Sequence, residues 1–172
     1  DDIDTTALPM LIHQEFDAGK YITSAAAITV DPDSGRENAG IFRHQLQGPR
    51  QVGFMSNPAH HTSYILRARR EQKEPLQVAL AIGHHPAMLM GAVSKLAGIG
   101  GELEVMGGLL GESVEVVNCK TNGLQVPAHA EIVLEGHVIP HERRLEGPFG
   151  EFTGYAAGDR MERPVFRVDC IT

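Results

Sequence analysis

The apolar run Leu76–Ile82 is the feature that most limits what this chain can become. It is far shorter than the ~20 residues that cross a bilayer, and it closes at once on Gly83-His84-His85-Pro86, so it reads as a strand buried on both faces. A strand of that kind needs neighbours, and the chain supplies them. Tyr21–Val30 reads as a strand closed by the turn Asp31-Pro32-Asp33-Ser34-Gly35, and Asn38–Leu46 and Gln51–Met55 read as a hairpin broken at Gly48-Pro49. Val114–Lys120, Glu131–Val138 and Val165–Ile171 add further strands, with Thr121–Pro127 as a turn. Helical spacing marks three other segments. His60–Lys73, opened by Pro58, carries Tyr64, Ile65 and Ala68 on one stripe and a solvated face of Arg67, Arg69, Arg70, Glu71 and Lys73. Met88, Leu89, Ala92, Val93 and Leu96 form a second stripe behind Pro86, and Glu102–Leu110 forms a third helix after the glycines of 98–101. Strands dominate and helices are inserted between them. The expectation is an α+β domain around a partly closed, mostly antiparallel sheet.

A chain of 172 residues holds one core and is too short for two ordinary domains, so 1–172 is read as a single unit. Few aromatics, no Trp and a net charge of -7 argue against a nucleic-acid partner, because base stacking and phosphate neutralisation would both be missing. With no apolar stretch of membrane-spanning length and an acidic start, the expectation is a soluble, cytoplasmic protein. Cys119 and Cys170 lack CxxC spacing and read as buried thiols. The start at Asp1-Asp2 and the strand-like end read as a piece of something longer.

Four spots combine ionisable side chains with turn residues. In Asn38-Ala39-Gly40-Ile41-Phe42-Arg43, strand alternation sends Asn38 and Arg43 to opposite faces unless a bulge at Gly40 realigns them. Asn57-Pro58-Ala59-His60-His61 lies at a strand-to-helix junction, where free N–H groups favour an anion and an imidazole can ligate a metal. Gly111-Glu112-Ser113 puts a carboxylate in a tight turn. Each, taken singly, also reads as a turn Asn with a surface Arg, as capping histidines, or as a solvated Glu. Together an amide, an imidazole and a carboxylate make a donor set suited to manganese or magnesium. The fourth spot, Glu146-Gly147-Pro148-Phe149-Gly150-Glu151, sets two acids in a loop fixed by Gly and Pro and shielded by Phe; burial there favours a protonated acid while an Arg keeps its partner ionised.

The order of these pieces resembles the UbiD family of decarboxylases. The resemblance runs from Asp17-Ala18-Gly19-Lys20-Tyr21-Ile22-Thr23 through Asn38–Arg43 with Gln45, Pro58-Ala59-His60 and Leu110-Gly111-Glu112-Ser113. It continues through Val126-Pro127-Ala128-His129-Ala130-Glu131-Ile132-Val133-Leu134-Glu135-Gly136 to the Glu146–Glu151 loop. The last two runs are the most specific. What the resemblance implies is a split β-barrel of the FMN-binding type and the cofactor prenylated FMN. It implies a metal, Mn2+ or Mg2+, on Asn38, His60 and Glu112, with K+ as a companion ion. Asn38, Ala39, Gly40, Ile41, Phe42, Arg43, Ala59, His60 and Glu112 would contact the cofactor, and Arg43, Glu146 and Glu151 would form the catalytic network. The implied reaction is reversible, non-oxidative loss of CO2 from an aromatic, heteroaromatic or α,β-unsaturated acid, with the flavin ring as electron sink and Glu151 as proton donor. Family members carry an α/β domain before this region and an oligomerising domain after it, so the expected partners are a carboxylic acid, those domains, or other copies of the chain. Two other readings stand beside this one: a non-catalytic flavin-binding or assembly fragment, and an FMN-dependent reductase of shared architecture. The Glu146 and Glu151 pair separates decarboxylase from reductase. His84-His85-Pro86 reads as a structural turn, and His44 as either facing the substrate or crossing the sheet.

Overall fold

The two faces of the strand Leu76–Ile82 explain the architecture. The computed structural model describes residues 3–94, 101–156 and 158–172. In chain order the elements are β1 Tyr21–Ile22, β2 Ala26–Val30, β3 Glu37–Ile41, β4 His44–Gly48, β5 Gln51–Gly53, α1 His61–Gln72, β6 Leu76–Ile82, α2 Pro86–Val93, α3 Glu102–Leu110, β7 Val116–Asn118, β8 Gln125–Pro127, β9 Ile132–Glu146 and β10 Met161–Ile171. Eight strands make one sheet in the order β1-β4-β5-β10-β9-β6-β2-β3, with β7 and β8 as a separate ladder. Every pairing among these strands is antiparallel.

Alternation along β6 sends Val78 and Leu80 to one side and Ala79 and Ala81 to the other. Val78 and Leu80 join Ile22 of β1, Ala27 of β2, Val52 of β5, Leu134 of β9 and Phe166 of β10 in one core. Strands near both ends of the sheet meet there only because the sheet curls, which makes it the split barrel expected from the sequence. The opposite face is built from Ala26, Ala39, Ala79 and Ala81, whose short side chains let α2 and α3 lie close, capped by Met88 and Met106. Each fully buried Leu, Ile or Phe contributes roughly 1.5–3 kcal/mol, so the two faces of this sheet supply most of the driving force. Among the described residues no helix is long and apolar enough to cross a membrane.

Several expected boundaries move. Tyr21–Val30 divides into β1 and β2, and Asn38–Leu46 into β3 and β4, because the chain turns from one sheet edge to the other at each break. The strand begun at Ile132 runs on to Glu146, where β10 pairs with it along its full length, with register shifts near Pro164 and Val168. Thr121–Pro127 is not all turn, since β8 pairs with β7. His60 is the N-cap of α1 and Pro58 precedes it in a turn; Ile65 is buried as its place on the apolar stripe requires, while Tyr64, expected beside it, is exposed and Thr62 is buried. α2 ends at Val93, and Leu96 lies outside the described residues. Cys119 is buried and Cys170 half-buried.

One buried charge fastens the smaller ladder to the barrel. Glu135 on β9 accepts hydrogen bonds from the N–H groups of Lys120 and Thr121 at 3.0 and 2.8 Å and from the Thr121 hydroxyl at 2.7 Å. Glu135→Ala leaves those donors facing a cavity and is expected to cost about 2–4 kcal/mol, read as a lower urea midpoint. Glu115→Ala, which removes an exposed pair with His129, is expected to stay within about 0.5 kcal/mol.

Candidate functional site

Phe42 separates two polar centres. On one side lies a cavity of about 360 Å3 lined by residues 38–42, by Ala59, His60, His61 and Thr62 at the start of α1, by the end of α2, and by Glu102. Asn38 is buried, and its amide nitrogen donates to Thr62 Oγ1 at 2.8 Å, which leaves the amide oxygen as its acceptor end. β3 is the sheet's edge, so its outer N–H groups need partners; the Ala39 N–H finds one in Glu102 Oε2 at 3.2 Å. The same Glu102 charge, after burial, helps push the Glu37 carboxyl above its ordinary range, partly offset by a backbone hydrogen bond to Gln125. His60 is exposed, and its ring stacks on Phe42 at 5.5 Å between centroids. Gly40 makes this stack possible, since a Cβ there would sit 2.5 Å from Phe42 Cζ. No side chain caps α1, so its first N–H groups stay available for an anion beside the cavity.

Asn38, Ala39, Gly40, Ile41, Phe42, Ala59 and His60 therefore share one cavity, while two residues expected with them do not line it. Arg43 turns away toward the acids described below. Glu112 is exposed beyond the helix cap Gly111 and lines other cavities, with Ser113, Val114 and Glu115. The reason is a length: α3 has 9 residues, about 13 Å at 1.5 Å each, and Glu102 and Glu112 flank its two ends. Glu102, rather than Glu112, is the carboxylate that lines the cavity with Asn38 and His60. Sequence reading treated Glu102 only as the start of a helix, and nothing in its local pattern sets it apart from Glu104.

On the other side of Phe42, Arg43 bridges two carboxylates. Its Nε donates to Glu146 Oε1 at 3.0 Å and its Nη1 to Glu151 Oε1 at 3.1 Å, while its guanidinium lies 5.0 Å from the Phe149 ring centre. The Glu146 side chain is 1% exposed and that of Glu151 43%. Gly147, at φ 94°, takes a left-handed conformation that a residue with a side chain would resist. Its N–H donates to Gln45 Oε1 at 3.1 Å, and its carbonyl accepts from Arg160 Nε at 3.1 Å. Pro148 O accepts from the Tyr21 hydroxyl at 3.2 Å and the Ala18 N–H at 2.9 Å. Gly150 N donates to Asp17 Oδ1 at 2.7 Å, and Gln14 Nε2 to Glu151 O at 3.1 Å. Burial pushes the Asp17 carboxyl up, but the N–H groups of Gly150, Gln14 and His13 outweigh it and the net shift is downward. Tyr21 is raised, first by burial and then by the Glu146 charge. The run from Gln14 to Tyr21 is thus the clamp on the acid loop, a role sequence reading did not assign.

The whole of residues 1–172 matches the family described as 3-octaprenyl-4-hydroxybenzoate carboxy-lyase Rift-related domain, UbiD. A phenolic acid decarboxylase of Bacillus subtilis (strain 168) is 37% identical over 165 residues, covering 94% of this chain and 35% of that protein. Among solved structures, an evolved dimeric form of the UbiD-class enzyme HmfF from Pelotomaculum thermopropionicum, in complex with prFMN, superposes with a TM-score of 0.91 at 42% identity, over 96% of this chain and 38% of that one. The vanillic acid decarboxylase of Sedimentibacter hydroxybenzoicus, in closed form, gives 0.90 at 33% identity, over 96% and 36%. The chain spans about a third of the length of these relatives.

His44 is fully buried beside Phe42 and Phe54. Its Nδ1–H donates to Gly53 O at 3.0 Å, its buried Nε2 has no hydrogen-bond partner among the described residues, and burial holds its pKa down to about 4 from 6.5. Between those values the unfolded chain binds the extra proton, so the native state is at full advantage above pH 6.5 and loses stability as pH falls toward 4. The gap corresponds to about 3 kcal/mol. Urea unfolding of the parent chain and of His44→Phe at pH 7.5, 5.5 and 4 is expected to show the variant's stability falling less by about that amount; parallel losses would remove His44 from the account.

Proposed function

The chain belongs to the UbiD family, and on that premise we propose that it is the cofactor-binding and catalytic core of a carboxy-lyase acting on an aromatic, heteroaromatic or α,β-unsaturated carboxylic acid with prenylated FMN. The observation that carries this reading is Arg43 held between Glu146 and Glu151, because decarboxylation needs a proton returned to carbon and this arrangement supplies one. When bound, prenylated FMN supplies an electron sink for the carbon that loses CO2. The chain's own groups do the rest. Glu151 delivers its proton to that carbon and recovers another from solvent through its exposed side. Glu146 faces the Arg43 guanidinium and fixes the angle at which Arg43 presents Glu151. Run backwards, Glu151 takes the proton from carbon and the acid is formed.

The cavity fits the phosphate end of such a cofactor. Asn38, His60 and Glu102 offer an amide oxygen, an imidazole and a carboxylate, the donor mixture that suits Mn2+ or Mg2+, and the uncapped start of α1 suits a phosphate. K+ would sit near the same phosphate. The relatives act on phenolic and vanillic acids by their names, so the acid sought here belongs first among those. The relatives' remaining length, and the evolved dimeric form of HmfF, point to partner domains and to a second copy of the chain as what completes the pocket.

Two measurements test the reading. Loaded with prenylated FMN and Mn2+, the protein is expected to release CO2 from at least one member of a panel of hydroxybenzoic, vanillic, cinnamic and furoic acids. Glu151→Gln should keep the altered flavin spectrum and lose turnover by about 100-fold or more; undiminished turnover would reject its role. For the metal, Glu102→Gln is expected to weaken Mn2+ retention by about tenfold or more in equilibrium dialysis with FMN, while Glu112→Gln leaves it unchanged. The opposite ranking would restore Glu112.

A further inference from the structure

Arg43 serves two carboxylates at once, and a second cation stands behind one of them. Arg163 lies on β10, opposite Arg144 of β9 and two residues beyond Met161, which pairs with Glu146. Its Nε is 3.9 Å from Glu146 Oε2, whereas the Nε of Arg43 holds Oε1 at 3.0 Å and its Nη2 reaches Oε2 only at 3.5 Å. The Arg163 side chain is 22% exposed, and its buried Nε has no hydrogen-bond partner among the described residues; Nη2 contacts the Met161 sulfur at 3.5 Å. A buried guanidinium nitrogen at ion-pair distance from an almost fully buried carboxylate belongs to that carboxylate's environment.

The charges facing Glu146 can be named. Arg43 approaches from the β3–β4 junction, Arg163 from β10, Glu151 from the loop, and the Tyr21 phenol from β1. Gln45 and Gly53 contribute no charge from β4 and β5. Farther out, Arg160 is engaged with Gly147 O, and Asp17 with Gly150 N. Two carboxylates against Arg43 alone are one cation short, and the shortage falls at the buried member, Glu146. Arg163 supplies the second cation on that buried side.

We infer that Arg163 is a positioning residue: it pairs with the second oxygen of Glu146, so that Glu146 does not compete for the proton and Arg43 is free to hold Glu151. Its catalytic consequence rests on the decarboxylase reading above, but the pairing itself does not. Arg163 is an arginine among the polar residues at the start of an internal strand and no motif marks it; only the fold places it against Glu146.

The test uses the chain labelled with 13C at glutamate carboxyls, with the Glu146 and Glu151 signals assigned from Glu146→Gln and Glu151→Gln. Titration by NMR is expected to show Arg163→Met taking up the pair's first proton about one pH unit above the parent chain, with most of that shift recovered in Arg163→Lys. Equal midpoints in the parent and Arg163→Met overturn the inference, as does an Arg163→Lys that behaves like Arg163→Met. If Arg163→Met unfolds before it can be titrated, Arg163→Gln removes the charge with less loss of polarity and is read by the same criterion. The titration needs neither cofactor nor substrate. A shift seen in a protein that decarboxylates nothing would therefore keep the Arg163 pairing and discard the function, and the reverse result would do the opposite.

Discussion

A guanidinium shared by two carboxylates, one of them almost fully buried, sets the demands that the surrounding structure meets. Withdrawing Glu146 from water is costly unless its charge is matched and its position held, and a buried pair stripped of one partner is typically worse than none. The frame answers both needs. β9 delivers Glu146 at its last residue, Met161 of β10 lies opposite it, and Gly53 of β5 packs against its side chain, where a Cβ would come within 3.3 Å. The loop that follows is held by backbone and side-chain bonds from Gln14, Asp17, Ala18, Tyr21, Gln45 and Arg160. Little of this is apolar packing. It is a network of polar groups that satisfy one another, which is what makes a single loop conformation preferable to its alternatives.

The six residues from Asn38 to Arg43 then serve two centres. Asn38 and Ala39 face the cavity at the sheet edge, Phe42 turns into the barrel core, and Arg43 emerges toward the acids. Phe42 touches the rings of His44, Phe54 and His60, so one side chain connects the floor of the cavity with the packing under the acid loop. A displacement of that ring would reach both centres. Gly40 guards against it by leaving the space that the ring fills.

Sequence reading went furthest where one local rule decides the outcome. β6 was legible to the residue because an apolar run between a polar helix and a Gly-Pro turn has few other fates, and α3 because its caps and spacing agree. The long β9–β10 ladder was half-missed, since its outer part, Pro140 to Leu145, carries exposed charges that read as loop until a partner strand is seen beside it. The acids of the loop and Arg43 were legible as types of residue, but their meeting is a contact over more than 100 positions, which no spacing rule encodes. Glu102 was illegible for a related reason. Its place beside Asn38 and His60 is a property of how α3 lies on β3, and the Gly111-Glu112-Ser113 turn, more conspicuous as sequence, falls a helix length away.

What distinguishes Glu146 from Glu151 is environment, since the two side chains are chemically the same. Glu146, at 1% exposure, has guanidinium nitrogens of two arginines within 4 Å, so its charge is matched where water scarcely reaches. Glu151, at 43%, shares one arginine and keeps a face open to solvent. Burying one acid against two cations, and leaving the other half in water, is how identical groups come to differ within one loop. The same reasoning explains why the loop needs Phe149: stacked near Arg43 and against Tyr21 at 4.7 Å, it closes the dry side of the pair without adding a competing charge.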